Sequence, residues 1–332
     1  VPYTVQPRPP AGQPGPDAWR AGQPAYVPHS MNFTHLLAFY EVARAGSISA
    51  GAERLHVSQP AVTREVRELE DRIGVVLFDR LPRGVALTEG GKLLYEYASR
   101  IFTLADTAEK ELAELAGLGS GHMKIGASGT LGVFFVPEAI ARFNALHPRV
   151  AIDLTVTNTE RVEAGLHDLA FTIGFIEGPF DESILHARRI GSDEIAVIAA
   201  AGHPLAGKKV RARDLAERAV IMREPGSGTR AIVEESYRRA GLEIEPLMSV
   251  SHTEAIKRML LSQHALGYIS TLSVTDELRR GELTVIEVDD MKIVRPLHMV
   301  WAKGRSLSPS GQALFDLVAS GTLNTAIAAG AE

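Results

Sequence analysis

Apolar residues recur at steps of three and four from Phe33 to about Leu118, and beyond Gly121 short apolar runs alternate with helical stretches. Leu36, Leu37, Phe39, Tyr40 and Val42 form one helical stripe, and Gly46 stands where a C-capping glycine would end it. Ser47 starts a second helix carrying Ala50, Ala52 and Leu55, and a turn at His56 and Val57 leads to a third. Ser58 is the expected N-cap of that third helix, Gln59 and Pro60 fill its first turn, and it runs to about Ile73. Its inner face is Ala61, Val62, Val66 and Leu69, while Gln59, Thr63, Arg64 and Arg67 share the opposite stripe. Residues 76–88 predict a hairpin-like wing around Pro82 and Gly84, anchored by Phe78 and carrying Arg80 and Arg83. From about Gly91 a single long helix follows, with Leu94, Tyr97, Ile101, Leu104 and Ala108 at alternating three- and four-residue steps. Either a second chain covers this stripe or it packs on the chain's own domain.

Strand-like runs at residues 123–127, 150–157, 169–176, 195–200, 219–222 and 297–301 alternate with helical stretches that end near Leu146 and Leu166, and with others near 230–240 and 254–262. The alternation predicts βαβ units and a mostly parallel sheet, in two α/β lobes rather than one. In such folds ligands sit beyond the carboxyl ends of strands, where helix N-termini offer unpaired amides. Ser128-Gly129-Thr130 follows the first strand and Thr157-Asn158-Thr159 the second, and both also suit plain N-capping. A glycine-rich loop spans 222–230, where the hydroxyls of Ser227 and Thr229, the backbone at Gly228 and the cations Arg223 and Arg230 suit an anion. Glycines there can equally serve turn geometry alone. His252 and Thr253 open a further helix, as a fourth convergent place or as a surface cap, and Glu177 follows the third strand.

The length of 332 residues implies two or three folded units. No apolar run approaches the roughly eighteen residues of a membrane span, so no membrane partner is expected. The absence of cysteine excludes disulfides, thiolate zinc sites, a cysteine nucleophile and a thiol switch, and it fits the cytoplasm. The eleven histidines contain no pair at i, i+4 spacing, so no metal site is expected. A formal charge of -5 gives no global attraction to nucleic acid, and DNA binding must come from local arginines. Residues 1–30 hold eight of the eighteen prolines and few aliphatic side chains; they are expected to be disordered, without a signal peptide, and Met31 reads as a natural start.

The third helix carries what groove reading needs: Gln59 for adenine, Arg64 for guanine, Thr63 and Arg67 on the same stripe, and Ser58 beside Pro60 for a phosphate. Arg80 and Arg83 of the wing would grip the backbone or the minor groove. Each arginine alone would suit a solvated face beside Glu65, Glu68, Glu70 and Asp71 equally well. The run Ala52-Glu53-Arg54-Leu55-His56-Val57-Ser58-Gln59-Pro60-Ala61-Val62-Thr63-Arg64 resembles the signature of LysR-type transcriptional regulators. Glu68-Leu69-Glu70, Gly74, Leu77-Phe78-Asp79-Arg80 and Leu87-Thr88-Glu89-Gly90-Gly91 continue it in order and spacing. Gly51 departs from the family's usual alanine, with an expected propensity cost of up to about 1 kcal/mol and no change of function.

The resemblance implies an all-α winged helix-turn-helix over 31–90 and a dimerisation helix with hinge over 91–121. A two-lobed α/β domain like type 2 periplasmic binding proteins follows, with lobe I at 122–180 plus 272–332 and lobe II at 181–271. It implies a homodimer through Leu94, Tyr97, Ile101, Leu104 and Ala108 on an inverted-repeat operator. It also implies a homotetramer through the sensing lobes, although no second stripe demands one, and it leaves RNA polymerase open as a partner. No cofactor is implied. A small anionic effector would bind between Ser128, Gly129, Thr130, Thr157, Asn158 and Glu177 on one side and Arg223, Ser227, Gly228, Thr229, Arg230 and His252 on the other. An enzyme fares poorly, since the glycine-rich loop lacks a Walker lysine and no Gly-x-Ser-x-Gly elbow occurs. A solute-binding protein would leave the N-terminal unit without a purpose, and an oxidant sensor would need cysteine.

Overall fold

The computed structural model describes residues 31–115, 121–262 and 265–321. The expected disorder of residues 1–30 and the helix end near Leu118 lie outside them. The chain divides into two compact units between Ser99 and Arg100.

In the first unit, α1 (Phe33–Ala45), α2 (Ile48–Arg54) and α3 (Gln59–Ile73) precede a two-stranded antiparallel wing, β1 (Phe78–Arg80) and β2 (Val85–Leu87). Asn32 caps α1 through Thr34 N–H, Ser47 caps α2 through Ala50 N–H, and Gly46 ends α1 at φ 67°. Leu36, Ala38, Phe39, Val42, Ala52, Val62, Val66 and Leu69 make the core, so the inner stripes are those the apolar spacing marks. Ser58 holds the N-cap position of α3, yet its side chain makes no capping bond, contrary to its expected capping role. Gly51 has a packing reason: a Cβ there would lie 2.8 Å from Val42 Cγ2 and 3.0 Å from Val42 Cα. Glu70 is structural, accepting the Leu77 N–H at 2.7 Å and so fixing the chain as it enters the wing. The long helix α4 (Glu89–Leu115) begins in this unit and continues into the second.

In the second unit, β3 (His122–Ser128), α5 (Gly129–Phe134), α6 (Val136–Leu146), β4 (Ala151–Thr157), α7 (Thr159–His167) and β5 (Ile173–Glu177) form the first lobe's βαβ units. The chain crosses on β6 (Leu185–Ala200) into β7 (Lys209–Val210), α8 (Ala212–Ala216), β8 (Val220–Arg223), α9 (Gly228–Arg239) and β9 (Met248–Val250). Then follow α10 (Thr253–Ser262), β10 (Leu266–Ser270), α11 (Thr275–Arg280), β11 (Leu283–Val288), the returning strand β12 (Ile293–Ala302) and α12 (Pro309–Ala319). The strand order is β4-β3-β5-β12-β6-β10-β8-β9, with β11 joining β6 and β7.

The sheet is mixed rather than mostly parallel. β3 pairs β4 and β5 in parallel, and β8 pairs β10 and β9 in parallel, but β6 and β12 run antiparallel to each other and to their neighbours. Residues 185–194 extend the strand expected at 195–200, and they were hidden by their charges. The strand expected at 169–176 begins only at Ile173: Leu169 turns at φ 60° and Phe171 plugs against Gly126 and Gly165, where a Cβ would lie 2.6 and 2.4 Å from its ring. Met123, Ile125, Phe143, Phe175 and Leu314 centre one core; Val197, Leu215, Met222, Tyr237 and Ile286 centre another. Val274, Leu283, Ile286 and Ile293 pack in second-lobe cores, so 274–293 belongs with that lobe and not, as the sequence division at 271 had it, with the first. Each fully buried aliphatic or phenyl side chain contributes about 1.5–3 kcal/mol.

Candidate functional site

On the first unit the outer face of α3 keeps its polar side chains in solvent. Ser58, Gln59, Pro60, Arg64 and Arg67 are exposed, as are Arg80 at the end of β1 and Arg83 in the turn of the wing. Gln59 Nε2 donates to Ser49 Oγ at 2.6 Å, which braces it from α2. Thr63 is half-buried and donates to the Gln59 carbonyl at 2.9 Å, so its hydroxyl serves the helix first. The Arg64 side chain is 70% exposed, 3.3 Å from Glu65 and 3.7 Å from Glu68. Along α4, Tyr97 and Leu104 are 56% and 51% exposed, Ala108 is exposed, and Leu94 and Ile101 are half-buried.

On the second unit, ten of the twelve residues expected to converge on one ligand separate into two groups, and Ser227 and Arg230 join neither. The first is a sealed polar junction around Arg295, which no sequence signal had singled out. Arg295 and Asp193 are cross-strand partners on β12 and β6, and register puts their side chains on one face. The guanidinium is fully buried. Its Nη2 and Nε donate to Asp193 Oδ2 at 2.6 and 2.9 Å, Nη1 to Thr229 Oγ1 at 2.7 Å and Nη2 to Thr130 Oγ1 at 3.0 Å. Nη1 also lies 3.4 Å from Glu177 Oε1, whose other oxygen accepts from Ser128 Oγ. Burial pushes the Glu177 carboxyl above the usual carboxylate range, partly opposed by Arg295. One cation thus holds the first turns of α5 and α9, one from each lobe. Gly228 belongs here for packing: a Cβ would fall 1.7 Å from the Glu177 carbonyl oxygen.

The second group lines an open cavity of about 310 Å³, within the range of small-ligand sites. Gly129, Thr157, Asn158, Arg223 and His252 reach it, joined by Arg161, Thr253 and the apolar Val133, Phe134 and Val156. Arg223 is 4% exposed, bonded by Nε and Nη2 to Glu224 at 2.8 and 3.0 Å, and its Nη1 faces Thr253 at 3.4 Å. That edge has room because residue 129 is glycine; a Cβ there would lie 2.9 Å from Nη1. Asn158 Oδ1 caps α7 through Arg161 N–H at 3.0 Å. Ser128, Thr130, Glu177, Ser227, Gly228, Thr229 and Arg230 do not line the cavity. Ser227 is 3% exposed, and Arg230 is spent on Glu234 at 2.6 Å and Ser249 at 3.3 Å. Arg161 was legible as the cation one turn into the helix after Asn158. A lone arginine inside the apolar run 293–302 was the signal for Arg295, since such a charge must be paired when buried.

An exposed glutamine and arginine face on a winged three-helix unit, followed by a two-lobed α/β unit with a polar cavity, defines a DNA-binding regulator with a sensing domain. The LysR substrate-binding-domain family matches residues 116–322, and the bacterial regulatory helix-turn-helix protein, lysR family, matches residues 33–92. The chain therefore belongs to the LysR family of transcriptional regulators, which are not enzymes. It is 33% identical over 87% of its length, and 96% of the relative's, to the RuBisCO operon transcriptional regulator of Allochromatium vinosum. It is 32% identical to the regulator CbbR of Xanthobacter flavus over 83% of this chain and 84% of that one. Full-length CbnR, solved with its target DNA, shares the fold at TM-score 0.65 and 22% identity over 88% of this chain and all of that one. The Synechocystis CcmR regulatory domain, solved in complex with 2-PG, matches at TM-score 0.56 and 27% identity over 61% of this chain and 98% of that one.

Proposed function

We propose that the chain reads an inverted-repeat operator through α3 and the wing, and that a small anionic metabolite bound in the 310 Å³ cavity shifts that binding. Arg223 carries the reading: a buried guanidinium with one edge turned to a cavity also lined by Asn158, Thr157 and His252 is an arrangement for an oxyanion. CcmR's ligand makes 2-PG the first compound to try. The exposed Tyr97 and Leu104 favour α4 as a dimer face, with tetramer formation through the sensing lobes and contact with RNA polymerase as further steps in the cytoplasm. A coupling of about 1–3 kcal/mol between effector and operator would make a useful switch.

Calorimetry with 2-PG and fluorescence anisotropy on a promoter fragment test both halves. Binding of 2-PG that weakens tenfold or more in Arg223→Ala, with operator affinity shifted by the ligand, supports the reading. Equal affinity in the variant removes Arg223 from the site, and no preference for any promoter fragment over random duplex ends the operator reading.

A further inference from the structure

We propose that His35, Glu65 and Glu68 form a divalent-metal site of the zinc class in the DNA-reading unit, and that the bound ion sets the charge beside Arg64. His35 Nε2 lies 3.1 Å from Glu65 Oε2 and 3.2 Å from Glu68 Oε2, and the three donor atoms all fall within 4.8 Å of one another. Donors held about 2.0–2.2 Å from a single zinc ion stand roughly 3.0–3.5 Å apart, which both histidine–carboxylate distances already match. Two helices supply the set. Glu65 and Glu68 share a face of α3 at i, i+3, and His35 comes from the first turn of α1. The imidazole is 5% exposed, while the Glu65 and Glu68 side chains are 20% and 51% exposed. One side of the site is therefore protein and the other open to solvent, leaving coordination positions for water.

Hydrogen-bond arithmetic at Nε2 points the same way. An imidazole nitrogen presents one proton or one lone pair, and two carboxylate oxygens converge on this one. The amide of Asn32 adds a constraint. Its Oδ1 accepts the Thr34 N–H at 2.9 Å, which orients its NH₂ end toward the ring, and Nδ2 lies 3.3 Å from Nε2. Either state of Nε2 leaves a neighbour unsatisfied: a proton there faces the Asn32 amide hydrogens, and a lone pair faces both carboxylates. With the Asn32 amide displaced, the Nε2 lone pair and one oxygen of each carboxylate can face a single cation, which takes the place of the Asn32 contact. Imidazole with two carboxylates favours a transition-series ion over magnesium or calcium. Paired histidines at helical spacing, the pattern whose absence argued against metal, would not reveal a site assembled from α1 and α3.

The consequence reaches DNA through Arg64. Its Nη2 and Nε are 3.3 and 3.7 Å from Oε1 of the same two glutamates, so the carboxylates that would take the ion also compete with phosphate and bases for this arginine. An ion on the Oε2 atoms neutralises that charge and releases the guanidinium. This coupling rests on the operator reading above; metal binding does not.

Metal-free full-length protein titrated with zinc chloride by calorimetry decides the matter, with Glu65→Gln and Glu68→Gln alongside. We expect one ion per chain, at least tenfold weaker in either variant and not displaced by equimolar magnesium, with both variants melting like wild type in chelator. Zinc bound equally by wild type and variants, or no zinc bound below about 0.1 mM, would overturn the site. In anisotropy at fixed salt, zinc should tighten operator binding several-fold in wild type and not in Glu68→Gln. Zinc binding without that response would overturn the coupling. Should the protein bind no operator under any condition, the titration alone still answers for the site.

Discussion

On α3, Ser58, Gln59, Arg64 and Arg67 stand in solvent with few partners inside the chain, whereas at the lobe junction Ser128, Thr130, Glu177 and Thr229 are each 3% exposed or less and satisfy one another around Arg295. Both sets are polar residues gathered at or near helix N-termini, with Glu177 at the end of β5 and Arg64 and Arg67 further along α3. Solvation separates them: an exposed arginine gains little from a nearby glutamate and is free for a partner, while a buried one must be fully paired and becomes part of the fold. The cavity residues lie between these extremes, because Arg223 is buried yet keeps one edge toward open space.

The comparison breaks most sharply at Arg295. Arg295→Ala leaves Asp193 and Glu177 buried without their cation and should cost about 3–5 kcal/mol of unfolding free energy in denaturant titration. A loss below about 1 kcal/mol would mean that the junction is a ligand site after all and not a structural element. Next in size, Arg64→Ala should leave stability within about 0.5 kcal/mol while weakening operator binding by about 1–3 kcal/mol. Stability falling with affinity would place Arg64 in the fold, erasing the contrast from the other side. Smaller again is Gly51→Ala. The methyl group meets Val42, a β-branched neighbour with little freedom, so the overpacking loss exceeds the gain in helix propensity and leaves a net cost of about 1 kcal/mol by thermal unfolding.

Local causes made the first unit legible. Stripes of Leu36, Phe39 and Val42, the cap at Ser47 and the glycine after α1 act within a turn or two of chain, and their signals are printed side by side. Gly51 escaped that logic because the cost of its side chain is decided by Val42 on another helix. The junction was hidden for the same reason at longer range: Arg295 and Asp193 are separated by 102 positions, and each looks like a surface charge until strand register brings them opposite. Charge also disguised residues 185–194 as loop, although β12 pairs along that stretch. Of the candidate site, the loops were found and their solvation was not. Ser128, Thr130 and Thr229 occupy the expected helix starts and turn into the protein, while Thr157, Asn158 and Arg223 reach the cavity.

The finest test of the contrast is a titration. His298 on β12 packs against the edge of Phe180 at 5.1 Å, its Nδ1 is buried without a partner, and burial, aided by Arg189, lowers its pKa from the ordinary histidine range. A base whose folded pKa is depressed stabilises the fold above its unfolded value of about 6.5, and that contribution is lost as pH falls through the folded value. Glu177 has the opposite sign: its carboxyl is raised by burial, so its contribution is fully present below the unfolded carboxylate value and is lost as pH rises through the folded one. The wild-type profile therefore mixes the two, and the difference between wild type and His298→Gln isolates the histidine. Unfolding free energies measured from pH 7.5 down to about pH 5 should converge for the two proteins as acid removes the advantage of the neutral ring. Parallel curves would show that His298 is solvated in the folded state, and the buried side of the comparison would then be confined to the residues around Arg295.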